Sequence, residues 1–318
     1  MTLLFHSYLF ILRYMMKHSE GVVHSFICFG EMLWDLLPEG ASPGGAPMNV
    51  AYHLHRQGMV VTPVSRIGQD ELGKQLLAFL RSKEVEVTAV QIDTVHETGK
   101  VYAHTDNRLD VRYEIVAPVA WDFISWDKEF ERLLAGAAGG YFIFGSLAVR
   151  HDVSREALAQ ALPKAGIRVL DINLRAPHYT QERLEWLLSQ CDILKLNETE
   201  LQLLGSWYAA GAEVREVVLL LSERFNIPEV IVTMGADGAL LYRDGQWYMQ
   251  AAFPVVVVDT IGSGDAFLAG YLSQRNLGKT SAYCLSYAAA LGALVATFPG
   301  ACPDYDPTAI VSLIATTT

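Results

Sequence analysis

Asp259-Thr260-Ile261-Gly262-Ser263-Gly264-Asp265-Ala266-Phe267 is the most informative stretch of this 318-residue chain. Four valines precede it at 255–258 and predict a strand, while residues 266–278 (AFLAGYLSQRNLG) predict a helix. Gly262 and Gly264 have no side chains, so their backbone can approach a ligand closely. The amides of residues 262–265 would then point from a helix N-terminus, which favours an anion such as a phosphate.

Asp265 is the unexpected residue in this stretch. A carboxylate near a helix start interacts favourably with the helix dipole, which is a purely structural explanation. A phosphate bound at the same turn would repel that carboxylate, and such an arrangement makes sense if Asp265 accepts a proton from an attacking hydroxyl. No G-K-[ST] follows the glycines, so the stretch is not a Walker A loop.

Strand and helix patterns alternate along the rest of the chain, which indicates βαβ units and a mostly parallel sheet. Predicted strands cover residues 24–30, 60–68, 141–147, 167–173, 191–197, 229–235 and 254–259, and residues 239–251 predict a hairpin. Predicted helices cover residues 48–56, 70–85, 154–166, 180–190, 214–226, 282–297 and 307–314. Ligands of such sheets bind beyond the carboxyl ends of the strands.

The alternation is interrupted between residues 98 and 119, where two β-branched and aromatic runs surround the polar tip 106–108. This pattern predicts a hairpin. Together with residues 32–43 it would form a small projecting sheet, a natural lid on one domain that spans residues 25–318.

Residues 1–24 are expected to be an extension outside that domain. Their apolar run, residues 9–12, is too short for a membrane span and ends at Arg13 and Lys17. A signal peptide would carry its positive charge before the apolar run, not after it. An upstream start codon is our interpretation, with Met15 or Met16 as the alternative start.

Composition excludes several classes of protein. Apolar residues make up 51% of the chain and charged residues 19%, which excludes intrinsic disorder. A net charge of −11 argues against nucleic-acid and membrane-surface partners. The four cysteines form no C-x-x-C pair and the histidines no H-E-x-x-H, so we expect buried thiols in a reducing cytoplasm rather than a zinc site or disulfides.

Two further motifs carry polar groups suited to small ligands. Gly44-Gly45-Ala46-Pro47-Met48-Asn49 follows Asp35, and this pair of carboxylate and amide suits sugar hydroxyls; a plain turn with Asn49 as a helix cap is the alternative. Asn197 and Glu200 lie three residues apart at a helix start, where they can hold a hydrated Mg²⁺ or form a capping box, or both.

These motifs resemble the ribokinase/PfkB carbohydrate-kinase family. DTIGSGDAF is similar to its C-terminal signature, GGAPMNVAYHLHRQG to its N-terminal signature and NETE to its N-x-x-E motif. The segments DINLR (171–175), VTMGADG (232–238) and FPGACP (298–303) also follow in family order. The resemblance covers about residues 25–315.

The resemblance implies an α/β fold, a ribokinase-like three-layer α/β/α sandwich with a mostly parallel sheet and a small β-lid, and ATP-dependent phosphoryl transfer to a sugar hydroxyl. Asp265 would be the catalytic base, within an anion hole of Gly262, Ser263, Gly264 and Asp265. The substrate residues implied are Asp35, Gly44, Gly45, Asn49, Asn173 and Arg175. The nucleotide residues implied are Asn197, Thr233, Gly235, Gly238, Gly264 and Ala289, where relatives often have Asn at the last position. Asn197 and Glu200 would hold Mg²⁺ through water, and Asp259 a monovalent cation such as K⁺.

Within the family, GGAP-x-N with D-x-N-L-R is similar to fructokinases, so we expect D-fructose to be converted to fructose 6-phosphate. 2-Keto-3-deoxygluconate and ribose are the alternative acceptors, and Arg175, Arg112 or Arg108 could pair with the carboxylate of the first. An inactive sugar-binding relative is the alternative outside enzymes, but such a protein would be expected to lose Asp265. The exposed edges of the lid hairpin would permit a homodimer.

Overall fold

The computed structural model describes residues 24–37, 40–106 and 110–316. In these ranges the strands are β1 (Phe26–Phe29), β2 (Leu33–Leu37), β3 (Gly40–Gly44), β4 (Val61–Gly68), β5 (Val90–Asp93), β6 (Gly99–Asp106), β7 (Asp110–Ile115), β8 (Tyr141–Gly145), β9 (Ile167–Asp171), β10 (Ile193–Asn197), β11 (Glu229–Thr233), β12 (Ala239–Arg243) and β13 (Gln246–Gln250). The α-helices there are α1 (Ala46–Arg56), α2 (Glu71–Ser82), α3 (Lys128–Gly136), α4 (Asp152–Ala161), α5 (Gln181–Leu188), α6 (Glu198–Tyr208), α7 (Val214–Phe225), α8 (Ser263–Asn276), α9 (Ser281–Val295) and α10 (Thr308–Ala315).

The main sheet has nine strands among the described residues, in the order β13-β12-β11-β10-β9-β8-β1-β4-β5. Strands from β11 to β5 run parallel, and β12 and β13 form the predicted antiparallel hairpin at one end. The prediction of a mostly parallel sheet is therefore confirmed, and the carboxyl ends of β8 to β11 lie side by side.

Helices cover both faces of this sheet because its buried strands alternate between two apolar clusters. Ile27 and Phe29 of β1 face the cluster built with α3 to α7. Phe26 and Cys28 face the opposite cluster, built with α1, α8 and α9. Strand residues of period two point to opposite faces, so a strand that is apolar throughout requires a layer on each side. The predicted three-layer sandwich is confirmed.

A second sheet has the strand order β3-β2-β6-β7. The hairpin predicted between residues 98 and 119 forms β6 and β7, and most of its predicted tip lies outside the described residues. The sheet is anchored through Trp34 in β2, whose indole Nε1 donates to the carbonyl of Leu72 in α2 at 3.0 Å. Met32 and Trp34 share a third apolar cluster with Met48 and Tyr52 of α1.

The strand predicted at residues 254–259 is wrong. The described chain there has no regular secondary structure, and Val256 is 84% exposed. The backbone of Val258 and Asp259 instead donates to the carbonyl of Ala296, at 2.8 and 3.3 Å, at the end of α9. Four valines satisfy strand propensity, but a strand also needs a hydrogen-bonded neighbour, and no strand among the described residues pairs with this segment.

The predicted extension, residues 1–24, lies outside the described residues except for His24. In the described part of the chain, no helix combines the length and the apolar character that crossing a bilayer requires. The four cysteines are free, and Cys28, Cys191 and Cys284 are buried as expected.

Candidate active site

Asp265 lies in the first turn of α8, which begins directly after Gly262. Gly262 has φ +76°, and a Cβ there would come within 2.6 Å of the Ala301 Cα, so only glycine fits this turn. The Oδ2 atom of Asp265 accepts a hydrogen bond of 2.8 Å from Nδ2 of Asn49 in α1. The two signature motifs, 216 residues apart, therefore meet at one carboxylate.

Burial, together with the nearby carboxylate of Asp171, raises the pKa of Asp265 to about 6. Lys195, the Asn49 hydrogen bond and Arg175 oppose this shift. A carboxyl group with such a pKa is ionised at neutral pH yet basic enough to take a proton, which suits a general base.

Lys195 and Asp171 form a buried ion pair beside Asp265. They are register partners at the carboxyl ends of β10 and β9, and Nζ of Lys195 lies 3.0 and 2.9 Å from the two carboxylate oxygens. A Cβ placed on Gly264 would lie 3.2 Å from that Nζ, so the ammonium group sits against the α8 turn. Burial alone would lower the pKa of Lys195, but Asp171 and Asp265 outweigh it and raise that pKa.

Asp35 and the double glycine meet at the junction of the two sheets. Gly44 is opposite Leu33 in the β2–β3 ladder, and a Cβ on it would come within 2.2 Å of Oδ2 of Asp35. A Cβ on Gly45 would come within 2.3 Å of the Glu31 carbonyl oxygen. Burial raises the pKa of Asp35 to about 6, and the charge of Arg175 opposes that shift.

Asn173 and Arg175 follow β9 on the same side. Asn173 has φ +38°, an uncommon backbone conformation for a residue with a side chain. Arg175 is exposed, and its Nη1 donates to the adjacent Leu174 carbonyl at 3.0 Å. Its positive charge opposes the rise that burial causes in the pKa of Glu31, Asp35 and Asp265.

Asn197 and Glu200 form the capping box of α6. Oδ1 of Asn197 accepts from the Glu200 amide at 2.9 Å, and Oε2 of Glu200 accepts from the Asn197 amide at 2.8 Å. Oε1 of Glu200 also accepts from the Leu174 amide at 2.7 Å, which ties α6 to the loop after β9. Burial raises the pKa of Glu200, and Asp171 adds to the shift.

The residues predicted for the nucleotide lie on the next strand and beyond it. Thr233 ends β11 in register with Asn197. Gly235 and Gly238 have φ +55° and +93°, and a Cβ on Gly238 would come within 2.0 Å of the Gln250 carbonyl oxygen. Ala289 is half-buried in α9, a helix that packs against α8.

Asp259 joins the loop before α8 to the segment that follows α9. Its Oδ1 accepts from the Ile261 amide and its Oδ2 from the Gly300 amide, both at 3.0 Å. Both carboxylate oxygens of Asp259 therefore accept backbone hydrogen bonds, and the bond from Gly300 ties the loop before α8 to the FPGACP segment.

A family model described as pfkB family carbohydrate kinase matches residues 39–309, most of the chain. The chain belongs to the PfkB family. This kinase is 31% identical over 294 residues to the fructokinase of Klebsiella pneumoniae, a match that covers 86% of this chain and 93% of that protein.

Solved structures agree with this assignment. The fructokinase of Xylella fastidiosa with bound ATP has a TM-score of 0.79 and 25% identity, over 93% of this chain and 99% of that one. The Vibrio cholerae fructokinase with fructose, ADP and calcium has a TM-score of 0.76 and 25% identity, over 92% and 98%. The predicted family, fold and enzyme class are confirmed: the protein is a fructokinase-like sugar kinase.

Sequence reasoning missed two charged residues of this kinase, Lys195 and Glu31. Each is the single ionisable residue in an apolar stretch, ILKL or CFGEML, and this is the signal that could have found them. Glu31 is buried beside Asp265, and burial raises its pKa to about 7. Its Oε1 accepts from the Ala46 amide at 3.3 Å, while Oε2 has no hydrogen-bond partner within the described ranges.

Proposed function

We propose that this kinase transfers the γ-phosphoryl group of ATP to the 6-hydroxyl group of D-fructose, with Asp265 as general base. The observation that carries the proposal is the Asp265 carboxylate, held by Asn49 at the N-terminal turn of α8 with a pKa raised to about 6 by burial. The similarity to fructokinases at about 30% identity, over most of both chains, supports the choice of sugar.

Asp265 would remove the proton of the sugar hydroxyl as its oxygen forms a bond to the γ-phosphorus. The bond between that phosphorus and the β-bridging oxygen breaks, which leaves ADP and fructose 6-phosphate, and the proton later passes from Asp265 to solvent. The amides of residues 262–265 would stabilise negative charge on the transferred group. Lys195 lies against Gly264 and would add a positive charge beneath this anion hole.

Mg²⁺ would be held by few protein groups. Within the described ranges, no three or more His, Cys, Asp or Glu side chains are arranged to hold a metal ion. A Glu200 carboxylate that accepts two backbone amides still has acceptor positions left for metal-bound water, because a carboxylate offers about four. Asn197 and Glu200 thus fit an ion that keeps its waters and neutralises the phosphates of ATP.

The charge of the sugar site favours a neutral acceptor. Asp35 and Asp265 are the carboxylates predicted to line it, Glu31 is buried nearby, and the charge of Arg175 acts on all three. An acceptor carboxylate such as that of 2-keto-3-deoxygluconate would meet these acids; at an effective dielectric constant near 20, two unit charges about 6 Å apart repel by roughly 3 kcal/mol. D-fructose carries no charge and would use the same groups as hydrogen-bond partners.

The test is a panel of fructose, 2-keto-3-deoxygluconate and ribose with saturating ATP and Mg²⁺, measured as ADP release. We expect the highest kcat/KM with fructose. A clear preference for the keto acid would contradict the fructose assignment, and Arg175→Ala would then abolish that activity. If Arg175→Ala instead weakens fructose turnover by a modest factor, the arginine orients a hydroxyl group.

Three finer expectations belong to the same proposal. K⁺ would bind beside Asp259, and replacement of potassium salts by N-methylglucamine salts should then lower kcat. Edge strands β3 and β7 of the second sheet would pair two chains into a homodimer, which analytical ultracentrifugation would detect. The cytoplasm, with its supply of ATP, would be the site of action.

A further inference from the structure

A cavity of about 510 Å³ lies outside the site described above. Its walls come from the ends of three connections: the segment after β7, the residues after β8, and the end of the loop that follows β9. None of its lining residues has a role in the sugar or nucleotide site. A volume of this size is typical of small-molecule pockets, which span about 300–1,000 Å³.

Arg150 lines this cavity and has an unused hydrogen-bond donor. Its side chain is only 5% exposed, and its Nε and Nη2 donate to the carboxylate of Asp122 at 2.6 and 2.8 Å. The guanidinium carbon also lies 3.8 Å from the ring centroid of Trp121, which fixes its orientation. Nη1 is buried and has no hydrogen-bond partner within the described ranges. Because Nη1 is closed off from solvent, Arg150 forms a rigid, buried part of the cavity wall and does not itself present a free donor to the cavity.

The cavity carries a net positive charge. Asp122 neutralises Arg150, while Arg183 adds a second guanidinium, whose Nη1 donates to the Arg150 carbonyl at 2.8 Å. The exposed Asp152 lies 3.6 Å from Arg183 and offsets that charge only in part, because water screens it. Burial lowers the pKa of His178, and Arg150 lowers it further by more than Asp122 raises it, so the local field favours anions.

Two helices also begin at this cavity. His151 is the N-cap of α4 and Thr180 is the N-cap of α5, and both residues line the walls. Helix N-termini attract anions through their free amides and dipoles. Apolar surface from Pro118 and Tyr179 completes the walls and suits the carbon skeleton of a small metabolite.

We propose that this cavity binds a phosphate group, free or carried by a sugar-sized metabolite, with the guanidinium of Arg183 as its charged donor beside the buried Arg150–Asp122 pair. The two sources share the same oxyanion chemistry and differ in whether a carbon skeleton contacts Pro118 and Tyr179. Binding needs neither ATP nor an acceptor sugar, so the proposal stands apart from the choice of fructose.

The test is calorimetric titration of the full chain, without substrates, using inorganic phosphate and glucose 6-phosphate as probes. Arg183→Gln and His178→Asn alter the cavity while leaving the Arg150–Asp122 pair intact. We expect Arg183→Gln to weaken binding by about tenfold or more, because hydrogen bonds to charged groups are strong. Arg155→Gln is the matched control: it removes the same charge from a residue that pairs with Asp152 and does not line the cavity.

Arg175→Gln distinguishes this cavity from the active site. Binding that survives Arg175→Gln and Arg155→Gln but weakens in Arg183→Gln supports the proposal; tighter binding of glucose 6-phosphate then identifies a metabolite as the ligand, and equal binding identifies free phosphate. Absence of saturable binding, binding lost only in Arg175→Gln, or binding unaffected by both cavity variants would overturn it.

Discussion

At the scale of single residues, the pKa of Asp265 is the result of opposing contributions from its neighbours. Burial and Asp171 raise its pKa, and Lys195, Asn49 and Arg175 lower it. We predict that Asp265→Asn keeps the hydrogen-bonding shape of the site but lowers kcat by about 10²–10⁴-fold, the usual effect of removing a general base. Initial rates with ATP and fructose, together with equilibrium binding of both substrates, measure this. Wild-type kcat in the variant would exclude Asp265 as the base.

The Lys195–Asp171 pair should set the acidic limb of the pH–rate profile. Asp265 acts when ionised, so kcat/KM should fall as the pH drops through about 6, its raised pKa. Lys195 lowers that pKa and Asp171 raises it. Lys195→Met should therefore move the limb to higher pH and Asp171→Asn to lower pH, each by roughly one unit.

The free energy of unfolding of the same variants is the control for this prediction. Lys195→Met leaves a buried carboxylate unpaired, which costs about 3–5 kcal/mol, and the double variant Lys195→Met/Asp171→Asn should recover most of that loss. A pH limb that stays in place in both single variants, despite their loss of stability, would show that the pair affects only folding.

Sequence motifs predicted most of the candidate site residues but not Lys195. Asp265, Asn49 and Glu200 stand in recognisable motifs, so the sequence predicted them, although Asn49 and Asp265 are 216 residues apart. Lys195 stands in a plain strand, and its importance depends on register with Asp171 across β9 and β10. That register is a property of the assembled sheet, which no local pattern encodes.

At the scale of elements, α8 has a left-handed glycine just before its first residue and another two residues after its last. Gly262 has φ +76° with the Ala301 backbone 2.6 Å from any Cβ, whereas Gly278 has φ +69° and no atom within 4 Å of its Cβ position. We predict that Gly278→Ala costs only the conformational strain, about 1–2 kcal/mol, and keeps kcat/KM. Gly262→Ala should cost more and lower kcat/KM at least about tenfold, because the backbone of the anion hole must move.

Thermal melts and kinetics of these two variants measure the difference. The two variants are matched in residue change, backbone region and helix, so equal losses of activity would mean that the packing of Gly262 against Ala301 has no part in the site.

The valines at 255–258 show why the sequence predicted one element wrongly. Their propensity is that of a strand, yet no strand of the described sheets pairs with them, and propensity cannot supply a partner.

At the scale of the whole molecule, the layer architecture was predictable and the strand order was not. Apolar strands that alternate with helices require a parallel sheet covered on both faces. The position of β1 between β8 and β4, by contrast, depends on long-range packing. That position brings α1 against α8, and with it Asn49 to Asp265.

Contacts between distant parts of the chain also indicate where the folded domain begins. The backbone of His24 exchanges two hydrogen bonds with the Asn276 side chain, at 3.0 and 2.9 Å, and the Ser25 carbonyl accepts from the Tyr141 amide at 2.9 Å. A chain that starts at Met16 keeps all three contacts. We therefore predict that removal of residues 1–15 leaves kcat/KM and the melting temperature unchanged within error.

A chain that starts at Phe26 is the matched comparison, since it loses those three hydrogen bonds. At about 1 kcal/mol each, their loss should lower the melting temperature by several degrees while the active site, at the opposite ends of the strands, keeps its KM values. Differential scanning calorimetry and steady-state kinetics on both truncations make the comparison. If removal of residues 1–15 alone lowers the melting temperature as much as removal of residues 1–25, the extension contributes to the stability of the domain and the boundary at residue 25 is wrong.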